Sequence, residues 1–226
     1  MSLRAILFDA LGTLLELEAP APRLRRELAD RYGVSVGLGE ARRAMAAEIA
    51  FYRRHLDEGR DPGSLAALRA ACAAELRGAL PPAVRRRLPP SPELVGALLA
   101  SLHFRAYPEA AEALREYRAR GLRLVVVSNW DVSLHEVLEN VGLTPLLDAV
   151  LTAAEAGVRK PEPAIFRQAL ALVGAPAAAA IHVGDSPEED IAGARAAGIE
   201  PVLLSRAGAE PPAGVRTVRS LAELLP

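Results

Sequence analysis

Five short apolar runs recur along the chain: Ala5-Ile6-Leu7-Phe8, Leu124-Val125-Val126-Val127, Ala149-Val150-Leu151, Ala180-Ile181-His182-Val183 and Pro201-Val202-Leu203-Leu204. Each is followed by a helical pattern. Strands that are apolar throughout, alternating with helices, mark a parallel sheet wrapped by helices. Start and stop signals support the helices. Pro108 opens one that ends at Gly121, and Ser186-Pro187-Glu188-Glu189 forms a capping box ahead of one that ends near Gly198. The expected fold is α/β, a doubly wound, Rossmann-like parallel sheet.

One interruption breaks the alternation. Over a hundred residues separate the first run from the second, too many for an ordinary crossover, and they read as helix with no strand among them. Amphipathic patterns cover 23–33, 39–58, 63–80 and 92–103, broken at Gly33, Gly59, Pro62, Pro81-Pro82 and Pro89-Pro90. We expect residues 16–92 to form an inserted α-helical cap, with 1–15 and 93–226 making the core.

Composition limits the partners. The 226 residues are 51% hydrophobic, enough to fill a substantial core, and carry a net charge of -1. There is no basic footprint for nucleic acid or a membrane surface, which leaves a small-molecule substrate. The one cysteine, Cys72, cannot form an internal disulfide, and no apolar run approaches membrane-spanning length. A cytoplasmic protein is expected; its oligomeric state is not encoded in any pattern here. Lys160 is the only lysine among 27 basic residues, an exception that needs a reason.

In a doubly wound sheet, ligands bind beyond the carboxyl ends of the strands. Asp9 ends the first run, Ser128-Asn129 the second and Gly184-Asp185 the fourth, while Lys160 follows the third. In order and spacing, "FDALGT", "VVVSNWD", "GVRKPEPAIF" and "HVGDSPEEDIAGARAAG" resemble the four motifs of the haloacid dehalogenase-like (HAD) hydrolase superfamily. The insertion falls where that family carries its helical first-type cap.

Asp9, Ser128 and Asp185 can converge only if the second and fourth strands flank the first, so the expected strand order is 3-2-1-4-5, with the first strand central and the cap over its carboxyl edge. The resemblance also implies roles. Asp9 would attack phosphorus to form an aspartyl-phosphate, and Lys160 would offset the charge on Asp9 and the phosphate. Gly12 would let the main chain approach the phosphoryl oxygens, with Thr13 and Ser128 donating hydroxyl bonds and Asn129 an amide. Mg²⁺ would be held by Asp9, the Leu11 main-chain carbonyl and Asp185, with Asp190 in support.

Other residues have plainer readings. Glu188 and Glu189 suit a helix cap and its dipole, and Asp190 is also readable as a first-turn carboxylate. His182, inside a strand run, reads as a packed core histidine, while His55, His103 and His135 have no partner in metal spacing. Asp131 is readable as an N-cap, and Trp130 as packing against the cap or lining a substrate entrance. The charges at 23–31 and 85–87 suit solvated faces or helix ends.

Phosphatases of this superfamily usually carry a second aspartate two residues after the nucleophile, as general acid and then base. Here that position is Leu11. Loss of such a group typically costs about 10²- to 10⁴-fold, severe only for poor leaving groups. Three readings follow: a Mg²⁺-dependent phosphatase, a 2-haloacid dehalogenase using Asp9 in a metal-free ester intermediate, and a catalytically weak binding or interaction protein of the same fold. The Gly184-Asp185 pair favours phosphoryl chemistry. A phosphonatase needs a cap lysine, which this chain lacks.

Overall fold

The computed structural model describes residues 2–206, 208 and 213–225. Among them are eight strands: β1 (Ala5–Phe8), β2 (Leu15–Leu17), β3 (Phe104–Ala106), β4 (Arg123–Ser128), β5 (Ala149–Thr152), β6 (Ala180–Gly184), β7 (Glu200–Leu204) and β8 (Arg216–Val218). Six form one sheet in the order β5-β4-β1-β6-β7-β8, with every pairing parallel. The five expected runs therefore lie as 3-2-1-4-5. β8 adds a sixth strand at the edge; its Arg216-Thr217-Val218 has too little apolar character to stand out in the sequence.

Burial explains why β1 is central. All four of its residues are buried, as are Leu124 to Ser128 on β4 and all of β6. Phe8 lies opposite Val126 on one side and Val183 on the other. The three strands thus end together, and the Asp9 N–H continues the ladder by donating to the Val183 carbonyl at 2.9 Å.

The chain divides into two compact units, Met1–Glu16 with Arg105–Pro226, and Leu17–Phe104. The second unit contains α1 (Pro20–Tyr32), α2 (Leu38–His55), α3 (Pro62–Ala79), the single turn α4 (Pro82–Arg85) and α5 (Ser91–Ser101). Gly33 ends α1 in the left-handed conformation, at φ 63°. Pro62, expected only to break a helix, occupies the first turn of α3, where its missing N–H costs nothing. Asp61 caps that helix, accepting from the N–H groups of Gly63 and Ser64, each at 2.9 Å.

Two expectations about the insertion are corrected. Residue 93 is not a boundary but an interior position of α5, which buries Leu94, Ala97 and Leu98 in one apolar cluster with Leu24, Leu28, Leu68 and Leu76. That shared core assigns the whole helix to the second unit. Strand is also present between the first and second runs: β2 and β3 pair as a short ribbon through which the chain leaves and re-enters the first unit.

The first unit's helices are α6 (Ala110–Ala119), α7 (Leu134–Asn140), α8 (Ala153–Ala156), α9 (Pro163–Val173) and α10 (Gly193–Ala196), the last preceded by a π turn, Pro187–Ala192. α6 buries Ala110, Ala113, Leu114 and Tyr117, the spacing of one helical face. Tyr117 stacks near Phe8 and donates its hydroxyl to the Leu221 carbonyl.

Glu48 on α2 is a carboxylate inside the second unit, 4% exposed. Burial pushes it up to about 7, opposed only in part by a hydrogen bond from the Cys72 thiol. From its ordinary 4.5 to about 7, the unfolded chain ionises while the folded chain keeps its proton. Stability therefore falls as pH rises through that window, by about 3 kcal/mol in all. Glu48→Gln, which cannot ionise, should match the parent near about pH 4 and exceed it near about pH 8. Urea midpoints that stay parallel across that range would rule out this effect.

Candidate active site

The carboxyl ends of β1, β4 and β6 gather a cluster around Lys160, whose side chain is almost wholly buried, at 1% exposure. Its Nζ donates to Asp9 Oδ1 at 2.5 Å and to Asp190 Oδ1 at 2.6 Å. Ser128 Oγ donates to the same Asp9 oxygen at 3.0 Å. Asp9, Asp185 and Asp190 each place a carboxylate oxygen within 4.8 Å of the others. The expected residues Asp9, Ser128, Lys160, Asp185 and Asp190 are thus brought together.

Lys160 arrives by a longer route than its sequence position suggests. After β5 the chain makes α8, turns at Gly157 and presents Lys160 before α9. Asn129 fixes the main chain there: its Oδ1 accepts from the Lys160 N–H at 2.8 Å and its Nδ2 donates to the Lys160 carbonyl at 3.0 Å. The observed work of the Asn129 amide is to hold Lys160.

Asp190 reaches the cluster through the π turn. The Ser186 carbonyl accepts from both Asp190 and Ile191 N–H, and the Ser186 hydroxyl accepts from Glu189 N–H at 3.1 Å. The widened turn hands the reciprocal bond of the expected capping box to Asp190, whose Oδ2 accepts the Ser186 N–H at 3.0 Å. His182 Nε2 lies 2.9 Å from Asp190 Oδ1, so both Asp190 oxygens are engaged within the protein. His182 packs edge-on to Phe166, as a core histidine would, and also braces Asp190. The sequence signal for that second contact is the spacing of eight residues across one strand-to-helix turn.

Two glycines permit the convergence. A Cβ on Gly184 would lie 2.1 Å from Asp190 Cγ, and one on Gly12, which sits at φ 85°, would lie 2.2 Å from Asp185 Oδ2. The loop after β1 is closed by the Ala10 carbonyl, which accepts from Thr13, Leu14 and Leu15 N–H at 3.3, 2.9 and 2.8 Å, while Gly12 N–H donates to Leu15 at 2.7 Å. Because a trans peptide sets its N–H and C=O in opposite directions, the Leu11 N–H and carbonyl both point away from these internal bonds. Thr13 Oγ1 is buried with no hydrogen-bond partner among the described residues.

Burial pushes Asp9 up to about 6, with Asp190 and Asp185 adding to it and Lys160 opposing. Asp185 is exposed, and crowding at the site raises its carboxyl through partial desolvation, reinforced by Asp190. For Asp190, burial is outweighed by Lys160 and His182, which hold its carboxyl well below the ordinary range. Lys160 is held charged: burial works against it, but Asp190 and Asp9 raise it further. Three carboxylates face one ammonium, an excess of negative charge and of hard oxygen donors that suits a divalent cation.

Asp131 accepts the Ser133 N–H at 2.7 Å in the turn before α7, and Trp130 is buried. His55, His103 and His135 each face one carboxylate: Glu58, Glu18 and Glu155. Arg87 donates to the Gly33 carbonyl and Arg85 to that of Gly78, so these charges do sit on helix ends.

A family model of haloacid dehalogenase-like hydrolases matches residues 3–198, and the chain belongs to that family. Haloacid dehalogenase-like hydrolase domain-containing protein 3 of Bos taurus is 50% identical over 104 residues, 46% of this chain and 41% of its own length. Phosphoserine phosphatase of Thermus thermophilus is 42% identical over 101 residues, 44% of this chain and 41% of its own length. The aligned part is thus less than half of each relative. The solved L-2-haloacid dehalogenase RSc1362 shares the fold at TM-score 0.69, with 24% identity, covering 99% of this chain and 97% of its own.

Lys160→Met tests how far the cluster depends on its cation. It would leave Asp9 and Asp190 buried without their shared partner, which should cost about 3–5 kcal/mol of stability. Chemical denaturation checks this, and a loss under about 1 kcal/mol would mean that water or proton uptake replaces the ammonium.

Proposed function

We propose that the chain is a Mg²⁺-dependent phosphatase that acts through an aspartyl-phosphate on a small phosphorylated metabolite. The observation that carries this reading is Asp185, a further carboxylate placed beside Asp9 although Lys160 and Ser128 already hold the nucleophile. A metal-free displacement on a 2-haloacid anion would suffer from this surplus of negative charge. A bound cation turns the same surplus into a ligand set. The phosphatase name of one relative agrees with this choice, while the shared fold of the dehalogenase is neutral between the two.

Asp9, the Leu11 carbonyl and Asp185 would hold Mg²⁺, with Asp190 acting behind them through Lys160; when bound, the ion supplies charge that offsets the phosphoryl oxygens and Asp9. An Asp9 oxygen then forms a bond to phosphorus as the bond to the departing oxygen breaks, its electron pair leaving with that oxygen. Water attacks the phosphorus of the aspartyl-phosphate, the bond to Asp9 breaks to restore its carboxylate, and the protons of the water leave on the released phosphate. Lys160 and Ser128 restrain Asp9 for attack, and the outward Leu11 N–H is suited to a phosphoryl oxygen. The Thr13 hydroxyl is a further candidate donor, unpartnered among the described residues.

A near-neutral chain with one cysteine fits a cytoplasmic enzyme with a small substrate. No helix among the described residues is long and apolar enough to cross a membrane.

A panel of phosphomonoesters, acyl phosphates and 2-haloacids, assayed with and without Mg²⁺, should release phosphate only with the metal. Halide release without metal would transfer the assignment to the dehalogenase, and no turnover of any class would support a binding role.

Leu11 bears on which substrates suffice. With no carboxyl at that position, leaving groups that depart unprotonated are favoured. Leu11→Asp should raise turnover of an alkyl phosphate by about 10²-fold or more, while changing an activated aryl or acyl phosphate much less. Equal scaling of both classes would show that position 11 does not control leaving-group protonation.

A further inference from the structure

Arg206, just past the end of β7, is absorbed by none of the roles above. Its Nε donates to the Gly12 carbonyl at 3.2 Å, its Nη2 to the Thr13 carbonyl at 2.8 Å, and its Nη1 to Glu109 Oε1 at 2.6 Å. The guanidinium carbon lies 3.4 Å from the centre of the Tyr107 ring. All these partners belong to the first unit. Gly12 and Thr13 lie on the path out toward the insertion; Tyr107 and Glu109 lie on the return.

The fork grips the two peptides that close the loop after Asp9. Gly12 and Thr13 turn their carbonyls to Arg206, and the N–H groups of those same peptides, on Thr13 and Leu14, point to the Ala10 carbonyl. Arg206 and Ala10 therefore hold opposite edges of one pair of peptide planes. That closure aims the Ala10 carbonyl inward and the Leu11 N–H and carbonyl outward. Only a planar cation with several donors can bridge adjacent carbonyls, bind a carboxylate and stack on a ring together. We infer that Arg206 is a positioning residue that sets the orientation of the Leu11 peptide groups, and through them the site's affinity for cation and phosphoryl group.

The decisive readout needs neither metal nor turnover. Amide hydrogen exchange, resolved by residue in the metal-free protein, should accelerate about tenfold or more at Thr13 and Leu14 in Arg206→Met, with the β4 amides of Val125 and Val126 unchanged. Arg206→Lys, which keeps the charge but loses the fork, should show the same pattern and serves as the test if the methionine variant folds poorly. Unchanged exchange at Thr13 and Leu14, or equal acceleration in β4, overturns the inference. A second arm rests on the phosphatase reading: half-saturating Mg²⁺ should rise about 10- to 100-fold, with kcat at saturating metal and substrate much less affected. An unmoved Mg²⁺ midpoint, in a parent that shows Mg²⁺-dependent turnover, also overturns it. A parent without such turnover sinks the phosphatase reading alone and leaves the exchange comparison intact.

Discussion

A buried ammonium is the constraint from which the architecture of the first unit follows. Lys160 has almost no access to water, and an uncompensated charge in that position would cost several kcal/mol. Its compensation comes from Asp9 at the end of β1 and from Asp190 in the turn after β6, while Asn129 at the end of β4 fixes its main chain. These three sources meet only if β4, β1 and β6 are adjacent, parallel and in register. Sheet order and site chemistry are thus one requirement.

Crowding like charges around one cation has a steric cost as well as an electrostatic one. Asp190 must press against the end of β6 and Asp185 against the loop after β1, and each approach succeeds because a glycine stands there. The π turn has the same origin. An ordinary first helical turn would offer the fourth residue of the capping box to the Ser186 N–H; the wider turn offers Asp190 instead and so delivers a carboxylate to Lys160 and His182 at once. Such turns cluster at functional sites because they re-aim one side chain without altering the rest of a helix.

Legibility in the sequence divides along physical lines. Fully apolar runs such as Leu124 to Val127 announce buried parallel strands, and the residues that stop them, Asp9, Ser128 and Asp185, mark the sheet's active edge. The lone lysine was equally visible, because a composition biased to arginine makes each exception informative. What stayed hidden depends on contacts between residues far apart in the chain. The membership of α5 is set by Leu94 and Leu98 meeting Leu24 and Leu28, and the pattern of a single helix cannot name its partner. Arg206 looked like any of the other arginines, since nothing local distinguishes one that finds two carbonyls more than 190 residues earlier. Asn129 reads as a site residue, yet its hold on the Lys160 backbone joins positions 31 residues apart and has no local signal.

The two cations nearest the Asp9 loop divide the labour that their shapes allow. Lys160 places one compact charge between two carboxylates, a geometry suited to a point-like ammonium rather than a planar fork. Arg206 spreads its donors over two carbonyls and a carboxylate at a position that is only partly buried. Between them lies Leu11, whose main chain and side chain are constrained separately. Ala10, Leu15 and Arg206 determine where its peptide groups point, and none of those bonds involves the side chain. On the phosphatase reading, this separation lets position 11 lose its acid while the backbone ligand and donor remain. The choice of leaving group can then vary by one side chain without rebuilding the loop that holds cation and phosphoryl group.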